Sequence, residues 1–248
     1  MTALFISVVS HHNDSMIIEN QVLANLANRF TVVLKSNTPA TIELKQHCID
    51  NKIKLIDSNY GLGFGCNNNL VHKYCSTELE IKKNDLFLVL NPDVLIDILS
   101  VEKLVVQANK DDSPISTINL YSDENKTIPE QSIKKFPEIM APIKGLLQEK
   151  RSDAYDKTLI TEPTAIDWAA GSFLLFKMET YQVLNGFDEK YFMYFEDVDL
   201  CRRAGKAGIR ITYYPNLEAV HFGSYSNRNV FSRSFWWYLR SYLRYHFK

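Results

Sequence analysis

The strongest constraint on this chain is the alternation of short apolar runs with helix-patterned stretches over residues 4–90. Leu4 to Val9 reads as a strand and Met16 to Arg29 as a helix. Thr31 to Leu34 is a second strand, followed by a helix over Ala40 to Cys48. Ile53 to Ile56 is a third strand, Cys66 to Cys75 a helix, and Leu86 to Leu90 a buried strand. This βαβαβαβ rhythm predicts an α/β fold with a mostly parallel central sheet and helices on both faces. Such sheets bind ligands beyond the carboxyl ends of their strands. The residues expected there are all polar: Ser10-His11-His12, Ser36-Asn37, Asp57-Ser58-Asn59 and Asn91-Pro92-Asp93.

The second half is less regular. Asp111 to Lys157 is polar, contains four prolines, and predicts short strands and a loop. Ile166 to Phe176 reads as one strand and Met178 to Leu184 as a short helix stopped by Gly186. Glu196 to Ala204 reads as a helix, Ile209 to Tyr214 as a strand and Val230 to His246 as a final helix. The expected organisation is one domain, 1–222, carrying a basic aromatic helical appendage, 223–248.

Net charge is −1, so the chain as a whole is not an electrostatic nucleic-acid binder. Cys48, Cys66, Cys75 and Cys201 form no C-x-x-C pair and read as reduced, structural thiols. The first ten residues lack the basic start of a signal peptide. No apolar run is long enough to cross a bilayer. The expectation is a cytoplasmic protein.

Several constellations carry chemistry. Asp93 follows an apolar strand and Pro92, which holds Asn91 extended. A carboxylate at that strand end suits Mg²⁺ or Mn²⁺, and Asn-Pro-Asp equally suits a plain turn. Asn59-Tyr-Gly-Leu-Gly-Phe-Gly-Cys-Asn-Asn-Asn69 is a glycine-rich turn opening a helix, where backbone N–H groups can approach a diphosphate. Asn69 could face the ligand there. The loop follows the third strand, not the first, which argues against a dinucleotide oxidoreductase. Glu196-Asp197-x-Asp199 opens a helix whose dipole favours acids. That dipole does not explain the aromatic residues packed before it, Tyr191 to Phe195. A carboxylate held in a cleft there can act as a general base.

His221 after a strand is either structural or a metal ligand. Asp167 and Trp168 stand at a strand mouth, Trp168 as core or as a platform for a sugar ring. In the last helix Phe231, Phe235, Tyr238, Tyr242 and Tyr245 share one stripe, and Arg233, Trp237, Arg240 and Arg244 another. The aromatic stripe can pack on the domain. No acid occurs from Phe222 to Lys248, which favours a helix lying on an anionic membrane surface.

Together, Gly63-Phe-Gly-Cys-Asn-Asn-Asn69, Leu90-Asn-Pro-Asp-Val94, Asp167-Trp-Ala-Ala-Gly-Ser-Phe173, Gly186-Phe-Asp-Glu189, Tyr194-Phe-Glu-Asp-Val-Asp-Leu-Cys-Arg-Arg203 and His221 resemble the family 2 glycosyltransferases of GT-A fold, above all bacterial rhamnosyltransferases of O-antigen and cell-wall assembly. The resemblance implies a role for each position. Asp93 matches the metal-binding acid of the family's D-x-D signature, with Asn91 replacing its first acid, and His221 matches a histidine that reaches the metal in some members. Asp197 matches the catalytic base. Asn59, Gly63, Phe64 and Asn69 match the loop beside the donor diphosphate, and Ser10 and Asn37 match positions near the nucleotide base. Asp167, Trp168 and Glu196 are assigned to the acceptor sugar. The implied reaction is inverting transfer from dTDP-L-rhamnose to a GlcNAc-diphospho-polyprenol at the cytoplasmic face of the inner membrane, with Mg²⁺ or Mn²⁺ as cofactor. The rivals are the same fold with a UDP-hexose or UDP-HexNAc donor, and a non-catalytic nucleotide-sugar-binding subunit.

Overall fold

The computed structural model describes residues 2–139, 153–223 and 232–248. Phe231, the first member of the expected aromatic stripe, lies outside them.

The parallel half of the sheet is built as the alternation requires. Strands β1 (Leu4–Ser10), β2 (Thr31–Ser36), β3 (Lys54–Ile56) and β4 (Leu86–Leu90) lie in the order β3-β2-β1-β4, all parallel. Their registers align the carboxyl ends: Ser10 pairs with Ser36, Lys35 with Ile56, and Val8 with Leu90. Side chains alternate between two cores, as a two-residue period demands. Ile6, Val8, Leu34, Leu88 and Leu90 face one layer, built with α1 (Asp14–Asn20), α2 (Val22–Ala27), α3 (Ile42–Asp50) and α5 (Ile98–Lys110). Phe5, Val33, Phe87 and Val89 face the other, built with α4 (Phe64–Glu78), α6 (Met178–Val183) and α7 (Glu196–Lys206). Ser7 interrupts the apolar run of β1 because its hydroxyl donates to Asn68 Oδ1 of α4 at 2.7 Å.

The expected helix over Met16 to Arg29 is two helices, because Gln21 between them takes a left-handed conformation, φ 55°.

The other half of the sheet is mixed. Short β5 (Val94–Leu95), β6 (Ile115–Tyr121), β10 (Phe173–Lys177) and β11 (Ile211–His221) extend the order as β4-β10-β6-β11-β5. Here β10 runs antiparallel to both β4 and β6, while β6 and β11 are parallel. The strand expected over Ile166 to Phe176 is three pieces: β8 (Thr164–Ile166) on the edge of β11, β9 (Trp168–Ala169) paired with β7 (Ile133–Lys134), and β10. The breaks free Gly171 and Ser172 to turn at the end of β4, where Asn91 N–H donates to Ser172 O at 2.9 Å.

β6 is a central strand inside the segment that reads as polar. Its polar side chains are satisfied internally: Ser116 bonds Ser113, Thr117 donates to Phe173 O, and Asn119 accepts from Lys157. β11 runs past the expected end at Tyr214. Pro215 is tolerated because the register with β6 shifts between Tyr214 and Glu218, a bulge of the kind that accommodates proline. The extension makes His221 the last residue of a strand, paired with Val94 and so placed beside Asp93.

The C-terminal helix α8 (Arg233–Phe247) packs on the domain. Tyr238, Tyr242 and Tyr245 join Tyr191, Phe195 and Val198 in a third core. The aromatic stripe is therefore a packing face. A different stripe, Trp236, Leu243 and Phe247, stands exposed at 62%, 47% and 70%.

Candidate active site

The chemistry gathers at the carboxyl edge of the parallel strands. Asp93 leaves β4 through Pro92, and β11 delivers His221 to it. His221 Nε2 lies 3.3 Å from Asp93 Oδ1 and 3.4 Å from Asn91 Nδ2. The other ring nitrogen, Nδ1, is 3.0 Å from Glu130 Oε1. Burial alone would lower the imidazole pKa. The two carboxylates override it and hold it up at about 9. Asp93 Oδ1 is buried and accepts no hydrogen bond, and neither does Glu130 Oε2. Glu130 is a residue that sequence reasoning missed. It is ninety-one positions from His221 and reaches the site only because Glu130 N–H donates to Leu120 O, drawing the loop along β6.

The second acidic pair lies at the start of α7. Tyr194 and Phe195 adopt left-handed conformations, φ 67° and 66°, which cost on the order of 1–3 kcal/mol each for such residues. This sharp bend delivers Glu196 and Asp197 to the sheet edge. Asp197 Oδ2 accepts from Gly171 N–H at 2.9 Å, and its Oδ1 accepts from Val198 N–H at 2.8 Å. Glu196 is buried, and its Oε2 has no hydrogen-bond partner. Burial, and then the neighbouring Asp197, push the Glu196 carboxyl far up. Burial also raises Asp197, but the two backbone N–H groups oppose it. Gly171 N–H and Val198 N–H favour charge on Asp197, whereas Glu196 meets burial and a like charge, so of the two adjacent acids Asp197 is the better placed to ionise.

The glycine-rich loop closes the site from a third side. Phe64 N–H donates to Phe192 O at 3.0 Å. A Cβ on Gly63 would lie 2.3 Å from that same oxygen, so only glycine permits the approach. A Cβ on Gly171 would meet the Phe64 ring at 3.0 Å and Asp197 Cβ at 3.5 Å. Gly63, Phe64, Gly171 and Asp197 are therefore contiguous. Gly63→Ala is expected to destabilise the fold by about 1–3 kcal/mol through overpacking. Gly205→Ala, in open space within α7, is expected to stabilise it by about 0.5–1 kcal/mol. Urea unfolding of both variants checks the opposite signs.

Other expected site residues are used differently. Asn69 is saturated: Oδ1 accepts from Tyr181 OH and Phe187 N–H, and Nδ2 donates to Phe187 O and Glu189 Oε1. All four hydrogen-bonding positions of an amide are filled, so Asn69 brackets the Gly186–Glu189 loop to α4 rather than facing a ligand. Asn37 spends its amide on Leu62, donating to its O and accepting from its N, both at 2.9 Å. It clamps the glycine loop to the end of β2. Asn59 is exposed in that loop at φ 54°. Asp167 accepts from Phe136 N–H and Tyr155 OH, which ties two loops together. Trp168 donates to Lys135 O and packs against the second and third cores. Ser10 is buried at the end of β1 with its hydroxyl unpartnered. Beside the loop stands a further residue that sequence reasoning missed. The Lys35 side chain is fully buried, and its Nζ donates to Ser36 O at 2.6 Å, 5.7 Å from the Tyr60 ring. A lysine ending the apolar run Thr31-Val-Val-Leu34 was the available signal.

Comparison with known proteins agrees with this geometry. The family model described as glycosyltransferase like family 2 matches residues 6–245. The chain is 34% identical over 248 residues to rhamnosyltransferase WbbL of Escherichia coli K12, covering 98% of this chain and 92% of that protein. A 61-residue stretch, 25% of this chain and 20% of the relative, is 46% identical to an N-acetylglucosaminyl-diphospho-decaprenol L-rhamnosyltransferase of Mycobacterium tuberculosis. Among solved structures the fold resembles GalNAc-T7, determined with UDP, GalNAc and Mn²⁺, at TM-score 0.66 and 13% identity. The match covers 98% of this chain and 47% of that one. It also resembles S. aureus TarS, at TM-score 0.59 and 13% identity over 90% of this chain and 37% of that one. A family model matched over residues 6–245 and a relative 34% identical over nearly the whole chain, on a fold that gathers Asp93, His221 and Asp197 at the carboxyl edge of its sheet, make this protein a glycosyltransferase of family 2.

Proposed function

We propose that the chain transfers L-rhamnose from dTDP-L-rhamnose, with inversion, to N-acetylglucosamine on a polyprenyl diphosphate. The observation that carries this reading is the full-length similarity to a rhamnosyltransferase. The shorter similarity to an enzyme named for a GlcNAc-diphospho-lipid acceptor supports the acceptor class. In this reading Asp197 removes the proton from the acceptor hydroxyl. Gly171 N–H and Val198 N–H hold its carboxylate in one orientation throughout. The hydroxyl attacks the anomeric carbon from the face opposite the leaving diphosphate, through an oxocarbenium-like transition state of the kind seen in glycoside hydrolysis. Burial of Glu196 beside Asp197 disfavours a second charge next to the base.

Asp93 fits a divalent cation, and His221 would join it only by giving up the Nε2 proton that the neighbouring carboxylates stabilise. Asp93 presents a buried oxygen with no hydrogen bond, and the imidazole edge lies beside it. Among the described residues no cluster of three or more His, Cys, Asp or Glu side chains converges on one point. Diphosphate oxygens and water would complete the shell, as suits Mg²⁺ or Mn²⁺. When bound there, such an ion would offset the charge that develops on the leaving diphosphate. Glu130 holds the far nitrogen of His221 and so orients the ring.

No described helix is long and apolar enough to cross a membrane. The exposed Trp236, Leu243 and Phe247 of α8 suit a helix lying on the cytoplasmic face of the inner membrane. The test is turnover of dTDP-rhamnose, UDP-glucose, UDP-galactose and UDP-GlcNAc with a synthetic GlcNAc-diphospho-lipid. Transfer from dTDP-rhamnose alone is expected, and transfer from a UDP-sugar instead would overturn the rhamnosyl assignment.

A further inference from the structure

A cavity of about 550 Å³ opens between the Glu189–Phe192 loop and α8, lined by Glu189, Lys190, Phe192, Trp237, Arg240 and Arg244. Its volume lies in the range of small-molecule sites. The mechanism above uses none of these side chains.

Three cations stand at this cavity. Lys190 and Arg240 are exposed, with no recorded side-chain partner among the described residues. Arg244 leans on Asp188 at 3.6 Å and on the Tyr191 ring, and its buried Nε has no hydrogen-bond partner. The single acid, Glu189, is already engaged by the Asn69 amide. Counted against Glu189 and the Asp188 that Arg244 leans on, which Lys248 also pairs, the cations leave the cavity net positive, with one unused buried donor. Such a site suits a ligand with more than one negative charge.

Its position narrows the choice. Phe192 and Trp237 form one wall, their rings 4.7 Å apart. The Phe192 backbone oxygen is the one that receives Phe64 N–H, and the Phe64 ring lies against Gly171, whose N–H holds Asp197. Successive contacts through Phe64 and Gly171 thus link the cavity wall to the base. On its other side the cavity borders the exposed Trp236, Leu243 and Phe247 stripe of the same helix. A molecule entering along that stripe would meet the cations before its sugar reached Asp197.

We propose that this cavity receives the diphosphate group of the lipid-linked acceptor, with Lys190, Arg240 and Arg244 as its ligands and the Phe192–Trp237 wall against the adjoining lipid. The proposal rests on the acceptor class given above. It adds a second anion subsite, separate from the one at Asp93 and the glycine loop.

The test is calorimetric titration of the full chain with farnesyl diphosphate, farnesyl monophosphate and farnesol. Saturating dTDP and Mg²⁺ keep the donor site filled. Wild-type protein is expected to bind the diphosphate tightest. Arg240→Gln and Lys190→Gln are each expected to weaken it about 10-fold, leaving farnesol and dTDP binding unchanged. Unaltered diphosphate affinity in both variants would overturn the subsite. A parallel arm uses vesicles of phosphatidylcholine and phosphatidylglycerol. Retained vesicle binding by the variants supports the subsite, whereas a loss equal to that for farnesyl diphosphate shows a general anionic surface and overturns it. None of these readouts needs sugar transfer. Discrimination by the variants with no turnover of dTDP-rhamnose would therefore refute the rhamnosyl reading alone.

Discussion

Asp197→Asn is expected to lower kcat by about 10²–10⁴-fold, the usual contribution of a positioned general base. Donor binding should survive, because the change does not alter the diphosphate loop, although the one carbonyl oxygen of Asn can replace only one of the two carboxylate oxygens that accept from Gly171 N–H and Val198 N–H. The neighbouring change Glu196→Gln is expected to be nearly silent. A buried acid that already carries its proton is well mimicked by an amide of the same shape. The pair of variants tests the division of roles between two adjacent acids. Equal losses in both would mean that the proton is not where burial places it. The pH profile supplies a second reading. Asp197 must be ionised to act, and burial holds its pKa above the ordinary aspartate value. The acid limb of kcat/KM should therefore fall at a higher pH than an exposed aspartate would give, with activity lost as pH drops through it. Rapid turnover by Asp197→Asn would remove Asp197 from the chemistry.

Asp93→Ala is expected to abolish the cation-dependent part of nucleotide binding. Truncating Asp93 removes the buried carboxylate oxygen that lies beside Nε2 of His221 without a hydrogen-bond partner. Glu130→Gln acts one step further out, on Nδ1 of the same ring. Loss of such an orienting group typically costs about 10–100-fold in metal affinity, and the loss in Asp93→Ala should be larger. Titration of Mn²⁺ into protein with dTDP, followed by the ion's paramagnetic signal, reads both variants without turnover. Wild-type Mn²⁺ affinity in Asp93→Ala would show that the cation, if required, sits elsewhere. Both variants leave the core intact, since Asp93 and Glu130 lie at loop positions beyond the strands.

Much of the frame was legible in the chain. β1, β2 and β4 are apolar runs bounded by polar turns, and their separation by helical stretches leaves a parallel sheet as the economical solution. The strand ends of such a sheet are where ligands collect, so Asp93 could be singled out from its local surroundings. Glu196-Asp197 stood out because acids set among aromatics are costly unless they are used or solvated.

What the chain alone did not decide was the use of each polar side chain. Asn37, Asn69 and Asp167 have the chemistry of ligand-binding residues, and each is consumed by backbone or side-chain groups that the fold brings to it. Glu130 has no local mark, and it becomes part of the site only because its loop bonds to β6. The reversal of β10, which lays Gly171 beside Asp197, likewise has no periodic signature, since a strand reads the same in either direction. Local pattern records which face of a strand or helix is buried, and that much the sequence determined. Partnerships between residues about a hundred positions apart depend on register and strand direction, which only the packed tertiary structure sets.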